Sequence, residues 1–272
     1  MDVEESVNVL GLGGGQCLYS CFKVSLEIEV LAVTTELSLV LDCDTPMIFK
    51  LVPSQGPDQV IKALTFDLEG GLEETHFSDG HGNQCVRALM LKGASSLRVS
   101  FEGQQISNGS TRVGHFVPIQ ALPVAVLPFL QPSRYCEADQ FLNITREVIT
   151  DCSPGYDQIE RICSFVQTKF RYEPGSSRTP RSALDAMQDD AGVCRDFAHV
   201  SIAMLRSISI PARYVVGYLE GLLPQDVHAW GEAYVGNRWV AFDATPGLGS
   251  GERIAIAIGR DAAEVAIMDQ FG

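Results

Sequence analysis

Two neighbouring stretches decide the fold: 192-GVCRDFAHVSIAMLRSISIPARYVVGYL-219 and 227-VHAWGEAYVGNRWVAFDAT-245. The first predicts a helix that begins near Cys194 and cannot continue past Pro211, because proline lacks the N–H that a helix interior needs. Most of its surface should be buried, since apolar residues recur at helical spacing: Phe197, Val200, Met204 and Ile208. Strand-like runs follow at 213–219, 227–235 and 238–243. We expect an α+β fold with helices packed on an antiparallel sheet.

Two further helices are predicted upstream of this segment. Ser153-Pro154 and Thr179-Pro180 are each typical of a helix start, with a capping side chain followed by proline at the first helical position. Apolar residues at helical spacing follow the first pair at Ile159, Ile162, Cys163, Val166 and Phe170, and the second pair at Ala183, Leu184 and Met187.

The rest of the chain predicts a β-rich first half. Residues 1–16 are glycine-rich and are expected to be a flexible leader. Residues 17–105 show strand alternation, first at Phe22, Val24, Leu26, Ile28 and Val30, and predict an N-terminal antiparallel β domain. Prolines punctuate 106–150, which we expect to be a connector with little regular structure. Residues 151–272 form the second domain.

Charge and hydropathy narrow the partners and the location. The 272 residues carry a net charge of −14, which repels phosphate backbones and argues against nucleic acid as a partner. The acidic start of the chain lacks the features of a secretory signal. The longest apolar stretch, 116–130, is interrupted by prolines and is too short to span a bilayer. These features predict a cytoplasmic protein without a membrane partner.

The eight cysteines do not indicate a disulfide framework, because the chain is long and lacks a secretory signal. Cys17 and Cys21 with His76 and His81 are a conceivable metal site, but their spacing is looser than that of a zinc knuckle. We predict no metal, and we expect most of the cysteines to be small buried apolar residues.

Cys194 differs from the other cysteines because it opens a helix. The free amides and the partial positive charge at a helix start favour a thiolate, which is the nucleophilic form of cysteine. Gly236-Asn237 is a two-residue hairpin signal, and it pairs Val235 with Arg238.

Counting along the hairpin places Trp230 opposite Asp243. His228 is then a diagonal neighbour of Asp243, with β-carbons roughly 7 Å apart. A carboxylate at that distance can hydrogen-bond the imidazole, orient it and leave its other nitrogen for a thiol. Counting does not show whether Cys194 meets His228. His228 can equally be an ordinary strand histidine, and Asp243 can simply begin a turn.

These residues carry a resemblance to a known family. The motifs Gly192-Val-Cys-Arg-Asp-Phe-Ala-His199, His228-Ala-Trp-Gly-Glu232 and Phe242-Asp-Ala-Thr245 resemble, in order and spacing, those of the bacterial branch of the transglutaminase-like superfamily. The resemblance covers about 165–265. It implies a papain-like catalytic core with Cys194 as nucleophile, His228 as base and Asp243 as orienting residue. One departure is Ala244, where the family usually has proline, and this alters the turn more than the aspartate.

The resemblance implies a cysteine-dependent enzyme that attacks a peptide or glutamine amide through a thioester and needs no cofactor. A peptidase or amidase acting on a protein or peptide is favoured. A protein-glutamine amine transferase uses the same residues, and a non-catalytic binding protein on this fold is the other alternative. Candidates for the cleft or the oxyanion site are Tyr172, Trp230 and Glu232. Asp196 and Arg213 are expected to form an ion pair beside the nucleophile helix, and His199 is expected to be structural.

Overall fold

The structure is a computed structural model that describes residues 17–27, 31–106, 114–173, 181–223, 226–247 and 251–271. The predicted leader at 1–16 and the end of the first predicted strand, at 28–30, lie outside the described residues. The described part combines antiparallel sheets with helices packed on one of them, so the predicted α+β class is confirmed.

The N-terminal part is built from strands. They are β1 (Cys17–Glu27), β2 (Leu31–Leu41), β3 (Thr45–Val52), β4 (Gln59–Glu69), β5 (Gly71–Ser78), β6 (Gln84–Met90) and β7 (Gly93–Gln105). Every second side chain of β2 is buried, as period-two alternation requires for a strand with one face on a core. One sheet has the order β1-β2-β7-β4, and the other contains β3-β6-β5.

The C-terminal part carries the helices and a second set of strands. The helices are α1 (Leu142–Val148), α2 (Tyr156–Lys169), α3 (Ala183–Asp189) and α4 (Cys194–Ser207). The strands are β8 (Arg171–Tyr172), β9 (Ala191–Gly192), β10 (Ala212–Leu219), β11 (His228–Val235), β12 (Arg238–Phe242), β13 (Arg253–Gly259) and β14 (Met268–Gln270). A sheet of order β12-β11-β10-β13 supports α4, which is buried from Asp196 to Arg206 as its sequence predicts. Within the described ranges, each helix falls short of the length and apolar character that a membrane crossing requires.

The helix starts differ in detail from the predicted ones. α2 begins at Tyr156 rather than at Ser153-Pro154. Gly155, the residue before the helix, has a φ of 116°, which is not helical, and lies close to the backbone of Gly114. A β-carbon on Gly155 would lie 2.2 Å from the Gly114 carbonyl oxygen, so only glycine fits this helix start. α3 is capped by Ser182, whose hydroxyl accepts the Asp185 N–H at 3.3 Å. Thr179-Pro180 lies outside the described residues.

The proline-rich connector contains short 3-10 helices at Ile119–Ala121, Val124–Leu130 and Ala138–Gln140, and α1 follows them. Prolines permit these short turns while preventing longer helices. The prolines argue against regular structure in most of this segment, and α1 at 142–148 is the α-helix within it, where no proline interrupts. The domain boundaries at 16, 105 and 150 remain predictions.

Side-chain amides join the N-terminal part to the edge of the C-terminal sheet. β13 is an edge strand, and an edge leaves backbone groups unpaired. Gln59 donates to the Ala255 carbonyl and accepts the Ala255 N–H, both at 2.9 Å. Asn83 does the same for Ile258, both at 2.8 Å. These amides act as a substitute for a fifth strand, and β14 strengthens the connection by pairing with β3.

Candidate active site

The site begins at the turn that precedes α4. Cys194 is the first residue of that helix, and Val193 before it is extended. The first helical N–H groups have no acceptor within a helix, so the Cys194 amide is available beside its own sulfur. β8 and β9 pair in parallel just upstream, with Tyr172 opposite Gly192, and this holds the approach to the helix in place.

Asp196 fixes the shape of this turn. Its Oδ2 accepts the Val193 N–H at 3.0 Å and an Arg181 N–H at 3.1 Å, and the side chain is 0% exposed. A β-carbon at position 192 would lie 2.7 Å from the Asp196 carboxylate, so Gly192 leaves room for the cap. The spacing Gly192-Val-Cys-Arg-Asp196 therefore serves to present Cys194 at a rigid helix start.

The ion pair predicted between Asp196 and Arg213 is wrong. Arg181 takes the place beside Asp196, and it also donates to the Ala191 carbonyl at 3.0 Å. The antiparallel register places Arg213 opposite Glu232, whose carboxylate accepts Arg213 Nε at 2.6 Å. Arg181 lies outside the recognisable motifs, and no pattern in the sequence marks it as the partner.

The predicted hairpin register is confirmed. Val235 pairs with Arg238 and Gly231 pairs with Phe242. The same register places Asp243 beside Trp230, just past the end of β12. His228 Nε2 and Asp243 Oδ2 lie 2.7 Å apart, which is a hydrogen-bond distance.

His228 also hydrogen-bonds Cys194, so one imidazole joins the sulfur to the carboxylate. Because Nε2 is engaged by Asp243, Nδ1 is the nitrogen left for the thiol. This contact, which residue counting could not supply, brings together the three residues that the sequence singled out. Their catalytic roles remain a prediction.

The electrostatics favour a charged imidazole. Burial by itself lowers the pKa of His228, but the hydrogen bonds to Asp243 and Cys194 and their negative charges outweigh it and raise the pKa to about 9. Burial also tends to raise the pKa of Asp243, yet the bonds from His228 and Thr245 hold it below its usual value. At neutral pH the pair is therefore an imidazolium and a carboxylate, which is a state that stabilises an anion on the adjoining sulfur.

The second oxygen of Asp243 is held by the chain itself. Oδ1 accepts the Thr245 N–H at 2.9 Å, a local bond that fixes the carboxylate plane. This bond does not involve the amide nitrogen of residue 244, so alanine at that position serves as well as the usual proline. The departure in the motif leaves the aspartate oriented, as predicted. Arg253 Nη2 lies 3.7 Å from Oδ2, a contact that no sequence signal indicated.

The predicted cleft candidates fall in two places. Tyr172 lies near Cys194, is 44% exposed, and has a pKa raised by burial and by the negative charges of Cys194, Asp226 and Asp243. Trp230 packs its ring parallel to that of His228, with ring centroids 6.3 Å apart. Glu232 lies further along β11 and lines a cavity together with Trp230. Tyr172 is thus the candidate beside the sulfur.

His199 is structural, as predicted. It is fully buried between the rings of Tyr135 and Tyr214, and its Nε2 accepts the Ala262 N–H at 3.2 Å. Burial lowers its pKa to about 3, so it stays neutral in the folded protein. Within the part of the chain that the structure describes, no cluster of three or more histidine, cysteine or acidic residues has the geometry to hold a metal.

Comparison with known proteins agrees with this geometry. The family model described as the transglutaminase-like superfamily matches residues 142–244, a range that contains Cys194, His228 and Asp243. The crystal structure of a candidate cysteine protease from Cytophaga hutchinsonii is similar over 95% of this chain and 88% of its own, with 30% identity and a TM-score of 0.81. The chain belongs to the transglutaminase-like superfamily. The membership of this superfamily and the transglutaminase-like fold, both predicted from the sequence, are therefore confirmed.

Curated relatives of this transglutaminase-like protein include proteins from mycobacteria and from Bacillus subtilis. An uncharacterized protein of Mycobacterium leprae is 32% identical over 146 residues, which are 50% of this chain and 52% of that protein. An uncharacterized protein of Mycobacterium tuberculosis is 29% identical over 127 residues, 41% of this chain and 40% of that protein. The matches thus span about half or less of each relative's length.

Proposed function

We propose that the chain is a cysteine-dependent amide hydrolase, a peptidase or amidase that acts on protein or peptide substrates through a thioester. Cys194 is the nucleophile, His228 is the acid and base, and Asp243 orients the imidazole. The observation that carries the proposal is one imidazole hydrogen-bonded to both Cys194 and Asp243. Membership of the superfamily and the similarity to a candidate cysteine protease support it.

The first half of the reaction forms the thioester. The Cys194 sulfur attacks the amide carbonyl carbon, a C–S bond forms, and negative charge moves to the carbonyl oxygen. The Cys194 N–H at the start of α4 donates to this oxyanion, assisted by the positive end of the helix dipole. The His228 imidazolium then protonates the departing nitrogen, the C–N bond breaks, and a neutral imidazole remains.

The second half returns the enzyme to its starting state. Neutral His228 takes a proton from water, and the resulting hydroxide attacks the thioester carbonyl. The C–S bond breaks, the carboxylic acid product leaves, and the sulfur and imidazole regain their original charges. Asp243 stays ionised throughout, because its lowered pKa keeps it a carboxylate that steadies the imidazolium.

The test compares three proteins: wild type, Cys194→Ala and Cys152→Ala. Cys152 is a half-buried free cysteine outside the site, so its replacement is the matched control. Each protein is incubated with a panel of peptides, some containing glutamine, with and without an added primary amine, and products are identified by mass spectrometry. We expect hydrolysis by wild type and Cys152→Ala, and a loss of about 10⁴-fold in Cys194→Ala.

Labelling with iodoacetamide at neutral pH separates an enzyme from a binding protein. Preferential alkylation of Cys194, lost in His228→Ala, supports the thiolate–imidazolium pair. Uniform alkylation of the exposed cysteines, together with amide cleavage that persists in Cys194→Ala, would contradict the proposal. Incorporation of the amine in place of water would reassign the chain to amine transfer with the same three residues.

A further inference from the structure

A cavity of about 400 Å³ lies between the N-terminal part and the C-terminal sheet. The loops 54–59 and 81–83 form one side of it, and strands β10 to β13 form the other. Its described walls do not include Cys194 or His228, but Trp230 and Arg253 on those walls contact His228 and Asp243, so the cavity adjoins the catalytic site. Its size lies within the range of small-molecule sites.

Part of the polar wall is already satisfied. Glu232 accepts two N–H groups of Arg213, at 2.6 Å and 2.5 Å, and the guanidinium stacks over the ring of Trp239 at 4.3 Å. This pair is neutral as a unit and has little capacity to hold a charged ligand. Trp239 and the small side chains at 241, 255 and 257 give this wall apolar surface, whereas Trp230, which also lines it, is only 2% exposed.

Arg253 is a cationic group on this wall, and its charge is met, within the described part of the chain, only by a long ion pair with Asp243. Its side chain is 18% exposed, and Nη2 lies 3.7 Å from Asp243 Oδ2, beyond hydrogen-bond distance. Nε is buried, and no hydrogen-bond partner for it lies among the residues that the structure describes. The guanidinium carbon lies 6.0 Å from the ring of Trp230, whose own Nε1 is buried and also lacks a partner in the described ranges.

The chemistry of these groups selects the ligand. A guanidinium is a donor only, so a ligand that meets the exposed part of the Arg253 side chain must offer an acceptor. A guanidinium binds a carboxylate best, through two parallel N–H···O bonds. We propose that this cavity binds a small organic carboxylate, with the carboxylate on Arg253 and an apolar body against Trp239. This ligand is separate from the amide substrate of the proposed hydrolysis, and its site adjoins the catalytic residues through Arg253 and Trp230.

The chain provides a built-in reporter, because it contains two tryptophans and both line the cavity. Tryptophan fluorescence of the full chain is titrated with phenylacetate and with phenylacetamide, its uncharged analogue. We expect a saturable change with phenylacetate and an affinity about tenfold lower for the amide. Arg253→Met removes the guanidinium and should abolish this preference. Arg87→Met, at an exposed position outside the cavity, is the matched control and should keep it.

Two outcomes would overturn the proposal. One is a fluorescence change that does not saturate, and the other is equal affinity for the acid and the amide in wild type. Unchanged binding in Arg253→Met counts against it in the same way. If Arg253→Met does not fold, as judged by circular dichroism, Ala241→Leu replaces it. Leucine narrows the cavity while keeping Arg253, so this variant should bind both compounds more weakly, and unchanged binding would refute the site.

Discussion

Replacing Asp243 by asparagine isolates the charge that the carboxylate contributes to His228. Asparagine has the same shape and still accepts a hydrogen bond, but it carries no charge. Burial opposes the charged form of His228, and the bond to Asp243 is the largest influence that overcomes it and raises the pKa to about 9. We expect the pKa of His228 to fall by about 1 to 2 units in Asp243→Asn.

The same change alters how stability depends on pH. A rise in pKa from 6.5 to about 9 corresponds to about 3 kcal/mol of interaction favouring the imidazolium. Because the folded value is the higher one, this stabilisation is fully present below pH 6.5 and is lost as pH rises through 9. In Asp243→Asn the loss over that range should shrink to about half.

The pKa is measured by NMR titration of protein with ¹³C-labelled histidine. The chain has five histidines, and His228→Gln identifies the signal by its disappearance. The free energy of unfolding is measured with urea at pH 6 and pH 9 on the same proteins. Asp67→Asn, which neutralises an exposed carboxylate on β4, controls for the change in net charge.

The reasoning fails if His228 titrates near 6.5 in wild type, because the imidazole would then lack its charged partners. It also fails if Asp243→Asn leaves both the pKa of His228 and the pH dependence of unfolding unchanged. A large pKa decrease in the Asp67→Asn control would assign the effect to net charge rather than to the hydrogen bond.

Three further predictions test other parts of the structure. Burial keeps His199 neutral with a pKa of about 3, so the stability that depends on its neutral form is present above pH 6.5 and is lost as pH falls. The free energy of unfolding of wild type should therefore decrease by about 2 kcal/mol between pH 7 and pH 5 through this residue. Urea unfolding of His199→Phe should lack that decrease. Arg181→Met removes the guanidinium that binds Asp196, the side chain that caps the start of α4. Alkylation of Cys194 by iodoacetamide should then slow about three- to tenfold, with partial recovery in Arg181→Lys. An unchanged rate would show that Asp196 and Arg181 do not position the sulfur. Asn83→Ala leaves the N–H and the carbonyl of Ile258 without their partners. The free energy of unfolding, measured by calorimetry, should fall by about 2 to 4 kcal/mol. A decrease below about 0.5 kcal/mol would show that water replaces the amide.

The features that the sequence predicts well are local ones. The register of the β11–β12 hairpin follows from the two-residue turn at Gly236-Asn237, which fixes every later pair along the strands. The start of α4 at Cys194 and its burial follow from helical periodicity and from the proline after it. Prediction fails where a neighbour distant in sequence intervenes, as at Gly155, where contact with the chain near residue 114 delays the start of α2.

The sequence by itself therefore determined the α+β class, the place of Cys194 at a helix start and the hairpin register that brings His228 within reach of Asp243. Each of these depends on patterns within single helices, strands or hairpins. Only the tertiary structure decided that Cys194 meets His228 and that Arg181, rather than Arg213, holds Asp196. The physical reason is that no single helix or hairpin joins these partners, so their spacing along the chain does not fix their distance in space, and packing of the whole chain selects among partners that local patterns leave equivalent.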